Sequence, residues 1–178
     1  MFGGVVFSWV ARVLGGIGGK LGADAIFGFP VIALGLGAEG GSGTAVSGTT
    51  AVGFVLAGAA AAGITYLSSV HLNHGPVQAS ALVGLVGGLV CPALPIVGDG
   101  IAAVVFCASF AGMASPDRVP SVWAMAVAGA LCGVLVAATG PVLVGFGGKL
   151  GTIAFVACLV VRGLFVVSAD ALPAALPA

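Results

Sequence analysis

Residues 49–68 run for twenty positions without a charged side chain, through Val52, Phe54, Leu56 and four alanines at 59–62. Wound as a helix, twenty mostly apolar residues are about 30 Å long, the thickness of a bilayer's hydrocarbon core. The rest of the chain is built in the same way. Five Lys and Arg and five Asp and Glu among 178 residues make 6% charged, against about 25% in a soluble domain. With 60% hydrophobic residues and a mean hydropathy of +1.29, too little charge is left to cover a water-facing surface. The expected class is therefore all-α and integral to a membrane, a single polytopic domain over residues 1–178. Strands of a membrane barrel alternate apolar and polar residues. These segments are apolar on every side, which argues against that class.

In chain order, residues 2–17 form a short and doubtful first segment holding Arg12, fit either to span or to lie in the interface. Residues 23–37 follow, broken at Pro30, and a glycine-rich loop runs from Glu39 to Thr44. The span at 49–68 ends in a polar turn containing His71, Asn73, His74, Gly75 and Pro76. The fourth segment, 77–97, is interrupted by Pro92 and Pro95, and Gly98-Asp99-Gly100 reverses the chain. The fifth, 101–113, is short. Ser115, Pro116, Asp117, Arg118 and Pro120 make a polar turn before the sixth, 121–139. The last apolar stretch, 141–167, exceeds what one span needs, so it is either one tilted helix or a half-helix, a glycine break and a span from Leu150. An Ala/Pro-rich tail, 169–178, is expected to fray. The count is a bundle of six to seven transmembrane helices with glycine and proline breaks. The N-terminus has no positively charged region and no cleavage site, so no removable signal peptide is expected.

The chain holds 32 glycines. Small residues let membrane helices approach closely, and dispersion between backbones then holds them. Gly84 with Gly88, and Gly129 with Gly133, have the four-residue spacing of such faces and are candidates for a homo-oligomer contact. Cys91, Cys107, Cys132 and Cys158 lie inside apolar runs without a CxxC pair, and read as small reduced core residues. Alternating segments put Lys20, Arg118 and Arg162 on one side and Glu39 and Asp99 on the other. The positive-inside rule makes the first side cytoplasmic.

One short motif occurs twice. Gly18-Gly19-Lys20-Leu21-Gly22 near the N-terminus is repeated letter for letter as Gly147-Gly148-Lys149-Leu150-Gly151. A lysine within a span is costly and faces a cavity or a partner. Flanking glycines expose backbone N–H groups and allow a helix break, as where transporters bind solutes near the midplane. Lys149 with Gly147, Gly148 and Gly151, and Lys20 with Gly18, Gly19, Gly22 and Asp24, are therefore the candidate solute or ion path, one that favours an anion. The alternative for Lys149 is a lysine snorkelling at a helix start. Asp24 follows Lys20 by four residues and shares its helix face, where a local ion pair is the plainer reading. The twin motif also raises an internal pseudo-repeat. His71 and His74 would share a face on a continuing helix, as a pH-responsive pair.

No metal site, cofactor or nucleic-acid footprint is expected, and the motifs of hydrolases, phosphate loops and dinucleotide folds are absent. In outline the chain resembles small bacterial or archaeal channels and carriers with glycine-broken helices, which places it in a prokaryotic cell membrane, though no motif fixes a family. The expected function is a small transporter or channel for an ion or small solute, surrounded by lipid and assembled as a homo-oligomer. The alternative is a non-catalytic membrane subunit of a larger complex.

Overall fold

The computed structural model describes residues 15–19, 48–93, 100–140 and 148–171. These hold five α-helices and no strands: α1 (Gly48–Val70), α2 (Pro76–Val90, continued by a 3-10 turn at Cys91–Ala93), α3 (Ile101–Ala111), α4 (Val122–Ala138) and α5 (Lys149–Ala171). The count of six or seven spans is thus met by five helices among the described residues; the segment 23–37 and nearly all of 2–17 lie outside them. Three helical stretches are long and apolar enough to cross a membrane: Gly48–Val70, Pro76–Ala93 and Lys149–Ser168. They point to a membrane protein.

Local chemistry sets the helix ends. After Val70 the backbone turns left-handed at Asn73 and Gly75, and Pro76 starts α2, where a missing N–H costs nothing. α4 is capped by Ser121, whose hydroxyl accepts the Ala124 amide at 3.2 Å. Gly148 (φ 88°) directly precedes Lys149, the first residue of α5. Of the two readings of the last apolar stretch, the structure has the one in which a helix starts at the second glycine motif. α5 also stays helical through Ala171, past the start of the expected fraying.

α3 is the centre, touching each of the other four helices, whereas α2 and α5 flank it without meeting. It is buried at Ile101, Val104, Cys107, Ala108, Ser109 and Ala111, which cover more than half of its circumference, and Phe106 marks the exposed side. A helix apolar all round belongs inside a bundle. Its 11 residues rise about 16 Å, half of a hydrocarbon core. Phe54 meets Gly100 and Thr65 meets Gly112, so α1 and α3 run parallel. Gly58 meets Gly129 and Phe54 meets Gly133, so α4 runs opposite to α1.

The glycine pairs assigned to an oligomer face are mostly used within the chain. A Cβ on Gly129 would fall on the Gly58 carbonyl, one on Gly133 would fall on the Phe54 carbonyl, and one on Gly84 would lie 2.7 Å from the Phe106 ring. Only Gly88 faces open space. The physical reason is that close packing within one chain and between chains uses the same small residues.

Candidate functional site

The two glycine motifs meet. Residues 15–19 are not helical, yet Ile17 is 5% exposed and Gly18 is buried. The turn between α3 and α4 clamps one end: the Ser115 amide donates to the Gly16 carbonyl at 2.8 Å, and Arg118 Nε donates to the Gly15 carbonyl at 2.9 Å. Gly18 then lies on the last carbonyls of α3, Phe110 and Ala111, and Gly19 on the Gly151 carbonyl at the start of α5. A side chain at either glycine would strike backbone. Gly19 is also left-handed (φ 79°), which disfavours any residue with a Cβ.

The inner part of this segment, at Ile17 and Gly18, lies within the bundle. Gly112, next to Ala111, packs on the Ala62 carbonyl, and Ala62 is eight residues before the end of α1 at Val70. Eight residues of helix rise about 12 Å, most of one leaflet's hydrocarbon depth of about 15 Å. The two motifs agree at the one position described in both. Gly19 and Gly148 hold the same place in their copies, and both have positive φ, 79° and 88°.

Lys149 lies at the opposite end of the bundle from Arg118. Its Nζ donates to the Thr139 carbonyl at 2.6 Å and to the Gly140 carbonyl at 3.3 Å, just past the C-terminus of α4. Those carbonyls have no partner within their helix and carry its partial negative charge, so an ammonium there is a C-cap. Thr152 adds an inner hydrogen bond, Oγ1 to the Gly148 carbonyl at 3.0 Å. Arg162 is one turn beyond Cys158, which touches the end of α3 at Ala111; Arg118 and Arg162 thus lie toward the same end, as the alternating count expects. Trp123, at the start of α4 on that end, is 81% exposed.

Of the predicted path residues, the structure brings together Gly18, Gly19 and Gly151, and places Gly148 and Lys149 at the helix start beside them. Lys20, Gly22, Asp24 and Gly147 lie outside the described residues. His71 and His74 are exposed, and the helix ends at Val70, so the shared face they need is not formed. The buried thiols of Cys107 and Cys158 donate to the carbonyls of Leu150 (3.1 Å) and Ala111 (3.7 Å), tying α3 to α5; the four cysteines are free. The sequence reading missed Ser115, Arg118, Thr139 and Gly140. Arg118 carried a usable signal as one of five basic residues, whereas carbonyl partners carry none.

No family model, curated protein or solved structure matches the chain.

Proposed function

We propose that the chain is a small multi-pass membrane transporter or channel for an ion or a small solute, anions included. The observation that supports it best is the non-helical backbone of residues 15–19, which is buried at Ile17 and Gly18 and packs on the end of α3 and the start of α5. In lipid, such backbone is tolerated only where it is enclosed by protein or lines a water-filled cavity. Glycine-broken segments paired near the midplane are the usual place for a solute site in a carrier. The matching left-handed glycines of the two motifs favour an internal pseudo-repeat, with one copy toward each end of the chain. Lys149 then stands at the mouth of the path, its ammonium exchanging carbonyl partners for a passing anion.

The test is flux into proteoliposomes, read with dyes for monovalent ions and with labelled small carboxylates. Wild type should carry at least one of them, Gly19→Ala should slow it at least tenfold, and Lys149→Ala should reduce anion flux selectively. No flux for any solute would overturn the reading.

A membrane subunit of a larger complex is the second reading. Gly88, open on the outer side of α2 between exposed Leu85 and Leu89, favours it as a notch for a partner helix. Extraction in mild detergent as a heteromer of fixed stoichiometry would select it over a homo-oligomer.

A further inference from the structure

α1 and α2 are joined by a short turn but do not close on each other. Between them lies a cavity of 440 Å³. Ala57, Ala60 and Ala61 of α1 and Gly87 of α2 form its small-residue walls, and Val105 of α3 forms its floor. Gly87 leans on Val105 so closely that a Cβ there would strike the valine side chain. Thus α2 rests on α3 and leaves a cleft toward α1. Ile64, Leu82, Val86 and Val90 form its rim and are 47–57% exposed. The cleft therefore opens sideways, and its rim is continuous with the exposed apolar face of α2, itself part of a stretch long enough to span.

Size decides between occupants. The cleft runs from the level of Ala57 to that of Ser68, eleven residues or about 16 Å of helix. Because the cleft is open to the side, a partner helix about 10 Å across could seat only one face in it. A hydrocarbon chain is one methylene wide and fits. The lining is apolar, and its polar groups sit at the two ends. Ser68 lies at the end where His71, Asn73 and His74 are exposed, and Cys91 lies at the other. Volume, apolar walls and a few polar atoms to set direction are the marks of a small-molecule site.

We propose that this cleft holds one acyl chain of a membrane phospholipid, with the headgroup at the Ser68 end beside the α1–α2 turn and the tail reaching toward Cys91. The inference stands apart from the transport reading, since a subunit of a complex would hold the chain equally well.

Cys91 reports on it without mutation, because the other three cysteines are 0–1% exposed. Protein stripped of lipid in detergent should react with an apolar maleimide at Cys91, and mixed micelles of phosphatidylcholine should slow that reaction at least fivefold. Native mass spectrometry of protein taken from phosphatidylcholine vesicles should show one retained phospholipid per chain. Ala60→Phe, filling the cleft, should cut that retention at least tenfold, and Val52→Phe, an exposed site outside it, should leave retention unchanged. Cys91 labelling indifferent to phosphatidylcholine would overturn the proposal. So would equal retention in folded Ala60→Phe, or a wild-type dimer that Ala60→Phe dissociates.

Discussion

α1 has two faces that look alike in sequence and behave oppositely. On one, Phe54, Gly58 and Ala62 close on Gly133 and Gly129 of α4, backbone against backbone. On the other, Ala57, Ala60 and Ile64 stand off from α2 across the cleft. Both seams involve glycine and alanine, and neither carries charge. The difference lies in what each glycine meets. On the α4 side glycine faces glycine, so the helices approach until carbonyls touch Cα atoms. On the α2 side Gly84 and Gly87 face Phe106 and Val105 of α3, so the small residues draw α2 onto α3 instead. Small residues therefore permit close approach, and the residue opposite decides whether it happens.

The sharpest way to break this comparison is at Gly129. A side chain there cannot be absorbed by a rotamer change, because the first atoms it meets are the Gly58 carbonyl and the Ala62 Cβ. Overpacking a yielding core costs about 1–3 kcal/mol, and backbone does not yield. Gly129→Val should exceed that range and lose the folded bundle, seen as an absent thermal transition by circular dichroism in detergent. A melting temperature near wild type would mean that the α1–α4 seam is not closed. Gly19→Ala should follow. It combines a left-handed backbone, worth about 1–2 kcal/mol, with a collision against the Gly151 carbonyl. The same melt should fall clearly.

How much of this was legible beforehand follows from the solvent. In water, apolar periodicity separates the face that packs from the face that is wet. In lipid both faces are apolar, so α1 shows its two roles only through residue size. The helices themselves were readable from run length, and their ends from Gly75, Pro76, Ser121 and Gly148. Gly129 and Gly133 could be marked as close-packing residues but not given a partner, and were assigned to another copy of the chain when α1 is the partner. The recurrence of the glycine motif flagged Gly19 and Gly151. That they touch is a contact over more than a hundred residues, which no single sequence displays. Lys149 was noticed for its charge, but the carbonyls of Thr139 and Gly140 that receive it belong to backbone and have no letter of their own.

Two smaller effects sharpen the closed side of α1. Tyr66 donates its hydroxyl to the Val119 carbonyl at 2.8 Å and is 2% exposed. Tyr66→Phe leaves that carbonyl without its partner in a dry site and should cost about 1–3 kcal/mol, read as a lower melting temperature and faster amide exchange across the 112–120 turn. Its neighbour Thr65 is fully buried, and its Oγ1 has no hydrogen-bond partner among the described residues. A buried hydroxyl left unpaired opposes folding. Thr65→Val keeps the branched shape that fits against Gly112 and removes the hydroxyl, so it should raise stability by about 1 kcal/mol. A loss instead would mean that the hydroxyl has work that burial alone does not reveal.

The smallest expected effect is also the cleanest control. Gly84 and Gly88 lie four apart on α2, one turn along nearly the same face, and sequence gives them the same role. A Cβ at Gly84 would press into the Phe106 ring, whereas at Gly88 it would meet nothing within 4 Å. Gly84→Ala should therefore destabilise by about 1 kcal/mol or more, the low end of overpacking. Gly88→Ala should be neutral or stabilise by up to about 1 kcal/mol, because alanine is the better helix former. The pair is best measured in the same detergent and again in mixed micelles of phosphatidylcholine. If Gly88→Ala is silent in both, that side of α2 faces lipid. If it weakens a self-association or strips a partner seen with wild type, the open glycine is a docking notch, and the outer face of α2 joins the packed seams.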